Sequence, residues 1–155
     1  MKTTQTIKTL SILLFFALAI IANSCKKDKN GKNNTGKTGT FTVDGISYNG
    51  DTEEQTFVND NYSILCQSDD PYKFVQVTFH NKAEAEAGGT FNVEDYSLNV
   101  ASGKVELGTS DIITADPTSA KTITVSGKKI TINNVTIKST SSSATTTINS
   151  ASINF

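Results

Sequence analysis

An all-β fold is predicted by three features of this sequence. Apolar and polar residues alternate with period two in several short runs. Turn residues separate those runs at spacings of roughly 8–12. Thr (23), Ser (16) and Asn (14) supply a third of the 155 residues, whereas only residues 82–87 (KAEAEA) have a helical pattern, too short to stand alone. Together these predict an antiparallel β-sandwich, with a small closed β-barrel as the alternative.

The elements follow in order. Phe41-Thr42-Val43, Asp44-Gly45 and Ile46-Ser47-Tyr48 form a hairpin, because Asp-Gly suits a type I′ turn between alternating arms. A two-residue loop pairs Val43 with Ile46 and Phe41 with Tyr48. Residues 55–58 and 61–67 read as strands around the polar Asn59-Asp60. Residues 68–71 (SDDP) form a turn before the alternating run 72–80. With a four-residue loop Gln67 faces Tyr72, and Ile64 faces Val75. Tyr62, Ile64, Cys66, Val75, Val77 and Phe79 then share one face, and Phe74, Gln76 and His80 the other. Phe74 is expected to be covered by a further strand.

Gly88-Gly89 ends the helical turn. Residues 90–93, 96–100, 104–107 and 111–114 follow as short strands, and residues 116–119 as a loop. Residues 121–125 and 128–138 form a second hairpin about Ser126-Gly127. Apolar parity switches from Ile130 and Ile132 to Val135 and Ile137, which reads as a bulge at Asn133-Asn134. Residues 145–155 close the fold, with Ala151, Ile153 and Phe155 in phase.

The N-terminus carries an address. Lys2 and Lys8 precede a 13-residue apolar run, residues 10–22, which rises only about 20 Å as a helix against roughly 30 Å of bilayer hydrocarbon. It ends in Ala22-Asn23-Ser24-Cys25. A charged start, a short apolar stretch and small residues make a secretory signal peptide. The cysteine placed directly after the cleavage point resembles the lipobox of bacterial lipoproteins, with Ala22 where that family usually has Leu. The resemblance implies a diacylglycerol on Cys25, cleavage before it, and a membrane anchor. The expected division is residues 1–24 as removed signal peptide, 25–39 as lipidated Cys and Lys/Gly/Asn tether, and 40–155 as a single β domain. No apolar residue follows Cys25 in the tether, so it has no face to bury.

Charge divides along the chain. The tether holds five Lys and one Asp; the body from Thr40 holds 7 Lys against 14 acids, or −7. That balance excludes a basic nucleic-acid binder. Arg and Trp are absent, and there is one His.

Catalytic and metal chemistry has little to rest on. Once Cys25 is lipidated, Cys66 is the remaining thiol, expected to be a buried hydrophobe rather than a nucleophile. A Cys66–His80 dyad fails on register, which puts the two on opposite faces and far apart. His80 alone supports no His-based zinc site. No nucleophile elbow, P-loop or dinucleotide glycine pattern occurs. Carboxylates gather at Asp51, Glu53 and Glu54, at Asp69-Asp70 and at Glu94-Asp95. Of these, Asp69, Asp70, Glu94 and Asp95 are the weak candidates for a calcium site, should the two pairs converge from different loops. Turns are rich in Asp for backbone reasons, so no metal and no cofactor are expected.

The opening "TFTVDGISYNG", the middle "FVQVTFHN" and the Ser/Thr-rich closing strands resemble small lipoproteins of Bacteroidota. That resemblance implies an outer-membrane or surface location and no catalytic residue. The expectation is a non-enzymatic binding or structural module. The alternatives are a carboxylate or calcium-assisted hydrolase, and a barrel carrying an apolar ligand.

Overall fold

The computed structural model describes residues 36–155. The signal peptide, Cys25 and the tether as far as Thr35 lie outside the described residues.

The chain forms one sheet of ten strands, β1 (Thr38–Val43), β2 (Ile46–Thr56), β3 (Tyr62–Asp69), β4 (Tyr72–Phe79), β5 (Gly89–Val93), β6 (Lys104–Thr109), β7 (Ala115–Pro117), β8 (Thr122–Ser126), β9 (Lys129–Ser139) and β10 (Thr145–Asn154). One helix, α1 (Lys82–Ala87), follows β4. The order is β10-β1-β2-β3-β4-β6-β5-β8-β9, and β9 returns to β10, so nine strands close into a barrel. The leading expectation of two packed sheets is therefore corrected to the alternative, a closed barrel. Period-two alternation gives every strand one apolar face in either architecture. What decides is the pairing of the first strand with the last, Phe41 opposite Ala151, and local alternation carries no trace of it.

Closure puts every inward side chain into one core. Phe41, Tyr62, Phe79, Ile64, Ile123, Ile130, Ile132, Ile137, Ile148 and Ile153 are essentially inaccessible. Phe79 meets Phe91 edge-to-face at 5.2 Å, and Phe41 stacks on Tyr48 at 5.2 Å. Helix α1 sits at the end of the barrel reached by β4 (hereafter the upper end) and buries Ala85 completely. It starts where the Asn81 Oδ1 accepts the Glu84 N–H at 2.9 Å, and stops at Gly88 with φ +73°.

The β1–β2 hairpin has the expected register and turn. Val43 faces Ile46 and Phe41 faces Tyr48, with Asp44 and Gly45 at φ +50° and +82°. At this lower end Asp44 fastens the turn to β10, its carboxylate accepting the Thr147 N–H at 2.8 Å. The strand runs further than expected. Residues 46–56 are a single strand whose second half, Asp51–Thr56, is polar and lacked an alternating signal. β1 also begins at Thr38, two residues before the expected start of the domain.

In the β3–β4 hairpin only Asp70 and Pro71 form the loop, so Asp69 faces Tyr72 and Cys66 faces Val75. The register differs from expectation by two residues. A shift of two leaves faces unchanged, and Tyr62, Ile64, Cys66, Val75, Val77 and Phe79 all point inward and are buried. Phe74 is buried on the outer face beside Tyr72, without a second sheet over it.

Three further expectations are corrected. Residues 96–100 and 111–114 are loops, and a three-residue strand, β7, lies where a loop was expected. The β8–β9 turn is Gly127-Lys128, with both φ values positive, rather than Ser126-Gly127. The parity switch in β9 stands at Asn133-Asn134, but the expected bulge does not interrupt the β9–β10 ladder there. Ile148 and Ala151 in β10 change phase opposite Val135 and Ile132, so the β9–β10 register is continuous. The switch marks a change of neighbour: β9 pairs with β8 before it and with β7 after it.

Candidate functional site

A cleft of about 480 Å³ opens on the outer face of β1, β2 and β3 toward the lower end, lined by Thr38, Thr40, Asn49, Asp51, Gln67, Asp69 and Asp70 around Gly39, Gly50 and Ser68. A pair of glycines lies in its floor. Gly39 and Gly50 face each other across the β1–β2 ladder. A Cβ on Gly39 would lie 2.8 Å from the Cys66 Sγ, and one on Gly50 would lie 2.4 Å from the Gln67 carbonyl oxygen. Both positions therefore require the missing side chain for close strand approach. Among the described residues, no apolar side chain and no lysine lines the cleft. Gln67 donates to the Asp69 carboxylate at 3.1 Å.

The ladder parts in the same region. β2 pairs with β1 from Ile46 to Asp51, but its pairing with β3 starts only at Asp51 opposite Gln67. Thr52 donates its N–H to Lys37, which makes 52/37, 50/39, 48/41 and 46/43 the hydrogen-bonded pairs with β1. The backbone groups of Ser47 and Asn49 then point away from β1, on the side where β3 pairs with β2 only from Asp51 onward.

A second outer groove of about 430 Å³ lies over β5, β8 and β9, among Asn92, Lys121, Thr122, Thr124, Thr131 and Asn133. Apart from Ala120 its lining is polar, and among the described residues no carboxylate lines it.

The carboxylate pairs do not converge. Asp69 and Asp70 sit at the foot of β4, opposite Tyr72. Glu94 and Asp95 follow Val93, which neighbours Val105, itself opposite Phe79 at the head of β4. Seven residues of strand at about 3.4 Å each separate the two levels by roughly 24 Å. No group of three or more His, Cys, Asp or Glu suited to a metal occurs among the described residues. Asp69-Asp70 and Glu94-Asp95, the weak calcium candidates, therefore do not meet at one site.

Glu54, Tyr62, Glu84, Glu94 and Glu106 bond within the fold. Glu54 is the hub of the upper end. Its carboxylate accepts from Lys37 and from the Tyr62 hydroxyl, and from Lys82 at 3.3 Å. The Lys37 and Tyr62 bonds outweigh burial and hold it at about 2. Burial, then the bond to Glu54, pushes the Tyr62 hydroxyl up, while Lys82 lies 5.3 Å above the Tyr62 ring. Glu106 is buried under the loop that follows β5. Burial raises its carboxyl although it accepts both the Ser97 N–H and hydroxyl, each at 2.8 Å. Glu94 accepts the Ala101 N–H at 3.0 Å. Burial pushes Glu84 up, but bonds from Ser102 and from the Gly103 N–H outweigh it and leave the group below its usual range. Three carboxylates therefore clip residues 94–103 across the outside of the barrel.

Cys66 is fully buried and free. Burial pushes its thiol up to about 11, the reverse of an activated nucleophile. His80 places Nδ1 2.7 Å from the Val100 carbonyl oxygen and lies on the opposite face, five residues beyond the partner of Cys66, which leaves no dyad.

Sequence reasoning missed the cleft, the Glu54 hub and the clipped loop. One signal was available for the first: in the register set by Asp44-Gly45, Gly39 and Gly50 fall opposite each other. Comparison with protein-family models, with curated proteins and with solved structures returned no match.

Proposed function

We propose that this protein is a membrane-anchored lipoprotein of the cell envelope whose barrel is a non-enzymatic binding module, with the β1–β2–β3 cleft as its contact surface. The observation that carries the reading is the division of labour among polar groups. Glu54, Glu84, Glu94, Glu106, Tyr62 and His80 are spent on internal bonds, Cys66 is sealed in, and the cleft gathers the hydroxyls of Thr38 and Thr40, the Asn49 amide and the exposed carboxylates of Asp51 and Asp70. Such a surface offers donors and acceptors without the desolvated acid, base or nucleophile that catalysis needs. The inward side chains of the described residues are buried in one apolar cluster, which weighs against a carrier of an apolar ligand. Anchoring rests on the sequence of the leader and on Cys25.

Two experiments test the parts separately. Cells expressing the Cys25→Ser variant are fractionated; loss of fatty-acid labelling and release from the membrane pellet are expected, and retention with labelling refutes the anchor. Peptide and glycan arrays are probed with the wild-type chain and with the Asp51→Asn/Asp70→Asn variant. Spots that bind the former and not the latter are expected. Spots indifferent to the substitutions refute the cleft as the contact surface.

A further inference from the structure

We propose that the upper tip of the barrel, formed by Val58 and Leu98, rests on the lipid bilayer to which the chain is anchored. This deepens the anchored-lipoprotein reading and rests on it. Three observations converge. First, the tip is apolar: Val58 is fully exposed and Leu98 is 79% exposed. They stand on separate segments, the turn 57–61 between β2 and β3 and the loop after β5. The Asn59 side chain joins the two by donating to the Leu98 carbonyl oxygen at 2.6 Å. Val100 in the same loop is buried beside His80, so the loop turns Val100 inward and Leu98 out. Asp60, in the turn, is exposed and stays at headgroup depth, which limits insertion to the tip side chains. Second, the chain enters the barrel at this end. The Lys37 carbonyl accepts the Thr52 N–H, and its ammonium group meets Glu54. From Thr52 to Val58 the chain climbs about 20 Å as strand. Third, the tether matches that height. Residues 26–36, eleven in number, have a relaxed end-to-end distance of about 18 Å and a full reach of about 36 Å. The tip therefore meets the bilayer with the tether relaxed. Two aliphatic side chains would not hold a free protein on a membrane. The tether presents them at an effective concentration of about millimolar, and they enter the boundary between headgroups and acyl chains as interfacial anchors do. That pose turns the foot of the β3–β4 hairpin, with the cleft beside it, away from the lipid.

Fluorescence quenching with the acylated mature chain tests it. With Cys25 acylated and Cys66 buried, an environment-sensitive thiol dye reacts at an introduced Val58→Cys or Leu98→Cys. Ile113, 60% exposed on the loop after β6 at the lower end, supplies an equally apolar control as Ile113→Cys. The protein is reconstituted in vesicles of phosphatidylethanolamine and phosphatidylglycerol, with or without lipid brominated along its acyl chains. Bromo-lipid should remove about half or more of the emission at Val58→Cys and Leu98→Cys, as expected at interfacial depth, and little at Ile113→Cys. Adding Leu98→Asp to the Val58→Cys protein should reduce quenching about threefold or more, because the carboxylate resists dehydration. Adding Ile113→Asp should not. Quenching should persist in concentrated salt, which screens attraction between the tether lysines and anionic headgroups.

Equal or stronger quenching at Ile113→Cys, or loss of quenching in salt, overturns docking by the apolar tip. Emission that falls without bromo-lipid as protein density rises identifies a second copy of the chain at the tip and overturns the assignment to lipid. If no position is quenched while the protein still floats with the vesicles, tip docking fails and the anchor stands. If the wild-type chain carries no acyl group and does not float, the anchor fails and the tip contact falls with it.

Discussion

Replacing Gly39 with Ala tests the strand approach at the floor of the cleft. The new Cβ would lie 2.8 Å from the Cys66 Sγ, 3.0 Å from the Ile153 Cα and 3.1 Å from the Ser152 carbonyl oxygen. Comfortable contact between such atoms is about 3.5–4.0 Å. The thiol is therefore the worst obstacle, and being a side chain it is the one that can be removed. Overpacking of this kind costs about 1–3 kcal/mol, and we place Gly39→Ala near 2. Cys66→Ala alone removes one buried sulfur and should cost about 1 kcal/mol. Combined, the two changes should cost clearly less than their sum, with a coupling of about 0.5–1 kcal/mol in the relieving direction. The backbone contacts to β10 remain, so rescue is partial. Gly50→Ala provides the contrast. Its obstacle is the Gln67 backbone at 2.4 Å, so it should cost at least as much and gain nothing from Cys66→Ala. Urea unfolding followed by far-ultraviolet circular dichroism, with m held constant across the set, measures all five species. Strict additivity of Gly39→Ala and Cys66→Ala, or a neutral Gly39→Ala, would refute the geometry.

Three other outcomes are expected. Glu54, held at about 2 by Lys37 and Tyr62, contributes stability that is fully present above its unfolded value near 4.5. That contribution should be lost as pH falls from about 4.5 toward 2, and the loss should be smaller in Glu54→Gln, read by thermal melts across that range. Glu106→Ala should destabilise by about 1–3 kcal/mol, because Ser97 loses the acceptor of two bonds, and should speed amide exchange at Ser97. Glu106→Gln keeps an acceptor without the desolvated charge and should be close to neutral at pH 7. Cys66, buried and with its thiol raised to about 11, should react with a disulfide reagent only on unfolding; rapid labelling of the native protein would contradict its placement.

Much of the fold was legible because turn chemistry and alternation speak about neighbours. Asp44-Gly45 specified both a turn and a register, and the inward set of β3 and β4 survived a two-residue register error because faces repeat every two residues. The phase switch at Asn133-Asn134 was visible for the same reason. Closure was not legible: the β1–β10 pairing joins residues more than a hundred positions apart, and neither strand carries a local mark of its partner. Long β2 was missed because its second half has Gly50, Thr52 and Glu54 at the inward positions where alternation would place apolar residues. Glu54 is usable there because Lys37, Tyr62 and Lys82 meet it from three other segments. The loop 96–100 was read as a strand because Tyr96, Leu98 and Val100 alternate, yet only Val100 is buried. Its conformation is set by Glu94, Glu106 and the Asn59 side chain, which donates to the Leu98 carbonyl oxygen at 2.6 Å. The cleft was hidden for a different reason, since two glycines, without side chains to alternate, lie in its floor.

A nitrogen–proton correlation spectrum of the full chain, titrated with a ligand selected on the peptide and glycan arrays, tests the central claim most directly. The account predicts saturable shifts confined to Thr38, Thr40, Asn49, Gly50, Asp51, Gln67, Asp69 and Asp70. Shifts centred instead on Asn92, Thr122, Thr124 and Thr131 over β5, β8 and β9, or no shifts at millimolar ligand, would contradict it.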